Sequence, residues 1–255
     1  MIRRNTQNKV AIRRSRRRAM TIIAHLDEFR SRLIRCLLVI AVLCILVYFF
    51  SQDMIEWLKK TFCPELKFIV FTRPLELFII KLKVSLYMAL VAAVPYISYE
   101  IWQFITPGLL KKERKLIIGY VLSSTFFFIV GGAFALFAIY PSVIRLSLEM
   151  SSEDIVPMIT VESFISLAAM LVLGFGVMFQ LPIIVYACVS QGIVTVKAMT
   201  KIRPYVIVII FVISAILTPP DIVSQVAMAL PSWILFEISL LCARFWGKEK
   251  RDHIE

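Results

Sequence analysis

Long apolar runs separated by short charged segments organise this chain of 255 residues. From Thr21 the pattern is amphipathic: Ile22, Ile23, Leu26, Phe29 and Leu33 recur at helical spacing, with Asp27, Arg30 and Arg32 off that stripe. It predicts an interfacial helix leading directly into a first span over 33–50. Further spans are predicted over 75–105, 116–140, 164–189, 205–217 and 222–242. Thirty helical residues in the second would reach roughly 45 Å against a hydrocarbon core of about 30 Å. Its outer turns, with Glu76, Lys81 and Lys83, are therefore expected in water or headgroups. Before it, the segment 51–80 reads as an amphipathic turn around Ile55 and Leu58, then Cys63-Pro64, an extended run at 68–71, and Pro74. The third span is expected to end at Pro141, and Gly131 with Ala135 marks a small-residue face suited to close helix packing. In the fourth, Gly174, Gly176, Gln180 and Pro182 predict a bend with a polar side chain at membrane depth. The fifth run has only 13 residues, roughly 20 Å of helix and too short to cross an average bilayer upright. Thr218-Pro219-Pro220-Asp221 turns it straight back into the sixth, which holds Pro231 and Glu237.

Composition supports the membrane reading. Hydrophobic residues make up 60% of the chain and charged ones 18%, with a mean hydropathy of +0.83, whereas soluble domains sit near 45–50% apolar. The formal charge is +12, and the cations cluster at the ends of apolar runs. That pattern fits membrane topology and anionic headgroups, with no nucleic-acid footprint. Of 29 lysines and arginines, seven (Lys59, Lys60, Lys67, Arg73, Lys81, Lys83 and Arg145) fall on one side of the six spans and 22 on the other. The richer side is expected to be cytoplasmic, with both termini on it. Residues 1–20, with eight cations and no acid, read as a flexible basic tail near anionic lipid, and an organellar transit peptide is the alternative. The domain expected is therefore 21–246, followed by a short cytoplasmic tail, 247–255.

Candidate chemistry is sparse. The five cysteines show no disulfide or zinc spacing, and only His25 and His253 are histidines, so no metal site or cofactor is expected. No phosphate-binding glycine loop, metalloprotease motif or nucleophile elbow occurs, so no catalytic residues are assigned. The informative stretch is Ile101–Lys115: Pro107-Gly108 stops a helix, and four cations then surround Glu113. One reading is a topology anchor with Glu113 relieving repulsion; the other is a docking surface for a basic ligand with Glu113 receiving it. Glu28 admits an intrahelical pair with Arg32 at i+4. Glu100, Gln180 and Glu237 are the polar groups at membrane depth; the two acids either snorkel or function, and Gln180 equally suits a helix–helix hydrogen bond.

Several motifs together resemble one family. His25-Leu26-Asp27-Glu28-Phe29-Arg30, Trp102-x-Phe104-Ile105-x-Pro107-Gly108-Leu109 ending in Glu113-Arg114, and Phe175-Gly176-Val177-x-Phe179-Gln180-x-Pro182 are similar to TatC, the large subunit of the twin-arginine protein translocase. Arg203-Pro204-Tyr205 and Leu217-Thr218-Pro219-Pro220-Asp221-x-x-Ser224-Gln225 continue the resemblance. It implies an all-α integral membrane protein, six helices in a concave bundle like a cupped hand. It implies a receptor for folded proteins with twin-arginine signal peptides in the bacterial cytoplasmic membrane, working in an oligomeric complex with TatA- and TatB-type subunits and driven by the proton-motive force. By residue, it implies that Glu28, Glu113 and Phe104 recognise the signal peptide. Gln180, Asp221 and Gln225 become candidate intramembrane or partner contacts, and Pro64 a sensitive outside position. Many members have glutamate where Gln180 stands, and glutamine is expected at Glu100. A solute transporter is the main rival; it predicts inverted repeats, and the two halves show no such symmetry. A structural scaffold would leave the acids in two basic cytoplasmic regions without a role.

Overall fold

The computed structural model describes residues 2–62, 70, 74–105, 114–149, 159–190, 194–217 and 222–246, with side chains in the first helix described from His25 onward. Pro64, Glu113 and Asp221 lie outside the described residues. The described chain is helical throughout, apart from short turns and one isolated bridge.

Helix α1 (Ile2–Tyr48) contains the first span. It extends through the arginine-rich start that the sequence reading expected to be irregular. Arginine, lysine, alanine and methionine are good helix formers, and extending an existing helix avoids the cost of nucleation. After α2 (Ser51–Phe62), α3 (Glu76–Ile105) forms the second span at the predicted length. The third begins as α4 (Arg114–Phe134), widens into a π-turn at Ala135–Ile139 and continues as α5 (Tyr140–Glu149). Pro141 therefore does not end it. A wider turn ahead of a proline relieves the clash of its ring with the preceding turn and the loss of its N–H. The fourth span comprises α6 (Val161–Met178) and α7 (Leu181–Ser190), broken at Phe179-Gln180 as the glycine–proline cluster predicted. Thr160 starts α6 by accepting a hydrogen bond from the Ser163 N–H at 3.2 Å. Short α8 (Val196–Lys201) precedes the hairpin of α9 (Arg203–Leu217) and α10 (Ile222–Trp246).

Among the described residues, five helical stretches are long and apolar enough to cross a membrane, and α9 is the shorter sixth. The fold is an all-α bundle of six membrane helices in the concave, cupped-hand arrangement. Helix α1 packs on α3, α3 on α4 and α6, α7 on α10, and α9 on α10. The largest buried cluster joins Ile80 and Val84 to Tyr140, Phe164, Leu171, Phe175 and Met228. Close approach of α4 to α6–α7 depends on glycine: a Cβ on Gly131 would lie 2.7 Å from the Phe175 carbonyl, and one on Gly176 2.5 Å from the Phe128 ring. The small-residue face expected around Gly131 and Ala135 is thus a packing surface, with Ala135 buried.

Ahead of α3 and α6, Val70 bridges to Thr160 through Val70 N–H to Ile159 O at 3.2 Å and Val161 N–H to Val70 O at 3.0 Å. Lys83 pairs with Glu162 at 2.5 Å, linking α3 to α6 across a partly exposed surface. Such exposed pairs contribute at most about 1 kcal/mol.

Candidate functional site

The middle of α1 and the carboxy-terminal end of α3 form a polar seam. His25, Glu28, Phe29, Arg32 and Arg35 follow one face of α1, and Tyr96, Glu100, Gln103 and Phe104 follow one face of α3. The amphipathic reading of α1 needs inversion here. Its apolar residues Leu26, Phe29 and Leu33 are about half exposed or more, while Arg32 is turned inward at 12% exposure. In a bilayer the apolar stripe finds its solvent in lipid, so the polar face is the one that must be satisfied by protein.

Arg32 is the hub of the seam. Its Nε and Nη2 donate to Glu28 Oε1 at 3.1 and 2.5 Å, and its Nη1 donates to Glu100 Oε2 at 2.6 Å and Gln103 Oε1 at 2.8 Å. Glu100, itself only 5% exposed, accepts two further bonds from Arg35, at 2.9 and 3.0 Å, and one from the Tyr96 hydroxyl at 3.0 Å. The side-chain charges of Glu28, Glu100, Arg32 and Arg35 sum to zero. A buried carboxylate is tolerable in such a place only with this degree of pairing. Glu100 therefore does not snorkel, and Glu28 makes the i+4 pair that the sequence allowed.

Phe104 completes the seam. Its ring stacks on His25 at 4.3 Å and meets Phe29 at 5.7 Å. Two of the three residues expected to recognise a signal peptide, Glu28 and Phe104, are thus brought to one surface. Glu113, the third, follows α3 in sequence just before α4 and lies outside the described residues. Sequence reasoning paired Arg32 with Glu28 but missed its link to α3, and it missed Arg35, Gln103 and Tyr96. The available signal was the matching spacing of Arg32-Arg35 and Glu100-Gln103, each an i, i+3 pair at the end of an apolar run.

Trp102, on another face of α3, points into the bundle. Its indole N–H donates to Ser124 Oγ at 2.8 Å, and its ring stacks on Tyr120 at 4.6 Å. Gln180, at the α6–α7 break, donates to the Ser124 carbonyl at 3.0 Å and the Gly176 carbonyl at 3.3 Å. Ser124 therefore ties three spans together through one hydroxyl and one carbonyl. Trp102, Ser124 and Gln180 line an apolar cavity of about 390 Å³ walled by α3, α4 and α6–α7. Gln180 thus realises the helix–helix hydrogen bond while also facing a cavity.

The last hairpin is held at both ends. Gln225, shortly after Asp221 in sequence, donates to the Phe211 carbonyl at 3.2 Å. At the other end Arg203 pairs with Glu237 at 2.9 Å, which gives Glu237 a partner in α9.

These elements match known proteins. The family described as Sec-independent protein translocase protein (TatC) matches residues 24–231. The TatC of Desulforapulum autotrophicum is 36% identical over 229 residues, covering 89% of this chain and 85% of the relative. That of Haemophilus influenzae is 35% identical over 228 residues, covering 88% and 89%, respectively. The Escherichia coli K12 protein is 31% identical over 237 residues, covering 92% of each. A crystal structure of a twin arginine translocase receptor, TatC, superposes with a TM-score of 0.77 at 33% identity, covering 87% of this chain and 98% of that one.

Proposed function

Because the chain belongs to the TatC family of Sec-independent protein translocase proteins, we propose that it is the receptor for twin-arginine signal peptides and a core subunit of a translocase for folded proteins. It is a multi-pass membrane protein. In this reading it sits in the bacterial cytoplasmic membrane with both termini inside. It works with single-span TatA- and TatB-type subunits, and the proton-motive force supplies the energy. The observation that carries the reading is the seam itself: Phe104 of α3 packs on His25 and Phe29, which flank Glu28 on α1, with a buried ion cluster holding the two helices in register.

The chemistry is guanidinium recognition. A carboxylate and a guanidinium pair through two parallel charge-assisted hydrogen bonds, which a lysine ammonium cannot reproduce. Glu28 receives one signal arginine and Glu113, which follows α3 in sequence, receives the other. Phe104 gives the neighbouring peptide an aromatic surface. The cations around Glu113 repel ligands that do not offer this pairing. Gln180 holds the broken fourth span against α4, beside the cavity where a partner helix or lipid chain meets the bundle. Asp221 and Gln225 serve partner contact, and Pro64 is a sensitive position on the outside.

The test is binding of a twin-arginine signal peptide, beside a twin-lysine control. Glu113→Gln weakens binding by about tenfold, from charge-assisted bonds worth about 1.5 kcal/mol at a wet surface. Glu113→Lys weakens it further, since it places a like charge against the arginines. Wild-type binding by Glu113→Lys would return that charged stretch to a topology anchor.

A further inference from the structure

Glu28 and Glu100 hold their arginines in different ways. Arg35 meets Glu100 as a fork, with Nε donating to Oε1 at 2.9 Å and Nη2 to Oε2 at 3.0 Å. Arg32 instead sends both Nε and Nη2 to a single oxygen of Glu28, Oε1. The fork on two oxygens is the strong geometry for this pair of groups, and Arg32 leaves Glu28 Oε2 outside it. Glu28 is also the accessible carboxylate, with 37% of its side chain exposed against 6% for Glu100. Arg32 does not depend on Glu28 for its place, since Glu100 and Gln103 hold its Nη1 at 2.6 and 2.8 Å.

We propose that Arg32 is an internal stand-in for a signal arginine. It occupies Glu28 in the unliganded protein, and an incoming guanidinium replaces it by making the fork that Arg32 does not make. Arg32 stays docked on Glu100 and Gln103 throughout. This rests on the reading that Glu28 receives a signal arginine. The exchange sharpens specificity. An arginine ligand trades a one-oxygen contact for a two-oxygen fork and gains. A lysine ligand trades two N–H contacts for the contacts of a point charge and loses. A Glu28 with no resident arginine would be an open carboxylate that either cation could approach. Arg32 thus filters by geometry what charge alone would admit.

Titrations of the full-length protein with a fluorescent twin-arginine peptide and its twin-lysine counterpart test this. Arg32→Gln should bind the arginine peptide about threefold more tightly and the lysine peptide about tenfold more tightly, narrowing the ratio between them. Glu100 keeps Arg35 and Tyr96 in that variant, so its charge remains compensated. An unchanged ratio, or weaker binding of both peptides, overturns the proposal. A second measurement needs no substitution: the exchange of the Arg32 Nε–H with water, followed by NMR, should accelerate when wild-type protein is saturated with the arginine peptide. Unchanged protection at saturation overturns it equally. Glu28→Gln separates the two layers. If it binds the arginine peptide like wild type, the Glu28 reading fails. If it weakens binding while Arg32→Gln leaves the ratio unaltered, only the stand-in role fails.

Discussion

Replacing Glu100 by leucine removes the acceptor on which two arginines and a tyrosine converge. The consequence follows from how exposed each partner is. Arg35 is 47% exposed and can turn its guanidinium to water or headgroups at small cost. Arg32 is 12% exposed and cannot, so its buried charge keeps only Glu28 and Gln103. Breaking a buried ion pair from one side costs about 3–5 kcal/mol, and the two surviving partners place this case near the lower figure. Apolar contacts between α1 and α3 add little to hold them together, since lipid tails offer α1 nearly the same attraction. The loss therefore falls on α1 docking and leaves the other five helices in place. Cys36, one turn beyond Arg32 and partly buried, reports it. With the other cysteines replaced, alkylation of Cys36 by a membrane-permeant maleimide tracks the fraction of time α1 is undocked. About 3 kcal/mol corresponds to roughly a hundredfold increase in that fraction. Glu100→Gln, which keeps one acceptor oxygen, should fall between Glu100→Leu and wild type. Wild-type alkylation rates in a correctly inserted Glu100→Leu protein would refute the claim that the ion cluster docks α1.

Gln180→Leu deletes one bond from α6–α7 to α4 and should cost about 1 kcal/mol, lowering partner crosslinking while membrane insertion is retained. Gln180→Glu should be tolerated, since many members of the family carry glutamate there; unaltered crosslinking in Gln180→Leu would reduce the residue to packing. Gly176→Ala should destabilise the detergent-solubilised protein by about 1–3 kcal/mol through contact with Phe128. Gly119→Ala, with nothing within 4 Å of its added Cβ, should be neutral or stabilising; equal thermal stability of the two variants would contradict the close α4–α6 packing. Single cysteines replacing Lys112, Met199 and Lys250 should be labelled only from the cytoplasmic side. The native Cys63, and a cysteine replacing Asp221, should be labelled only from outside. Labelling of position 112 from outside would reverse the orientation.

The number of spans and the break in the fourth were legible in the sequence, because hydrophobic run length and helix-breaking residues act locally. An apolar run long enough to span the bilayer crosses it whatever its neighbours do, and Gly176 with Pro182 weakens a helix wherever it packs. The Pro141 expectation failed at this same local level, since the π-turn at 135–139 absorbs a proline that would otherwise stop the helix. Glu28 and Phe104 could be singled out from the motifs that contain them. Their meeting across the α1–α3 interface could not, because Phe104 lies 76 positions further along the chain and register between two membrane helices depends on which polar groups must satisfy one another. Arg32 read as a charge off an apolar stripe and became the hub only once α3 placed Glu100 and Gln103 within 3 Å of it. Gln180 was visible as an amide at membrane depth, but its acceptor, a backbone carbonyl of α4, has no side-chain identity to read. Apolar length determined that this chain enters the membrane, and the pairing of the few polar groups it carries there determined how its helices stand against one another.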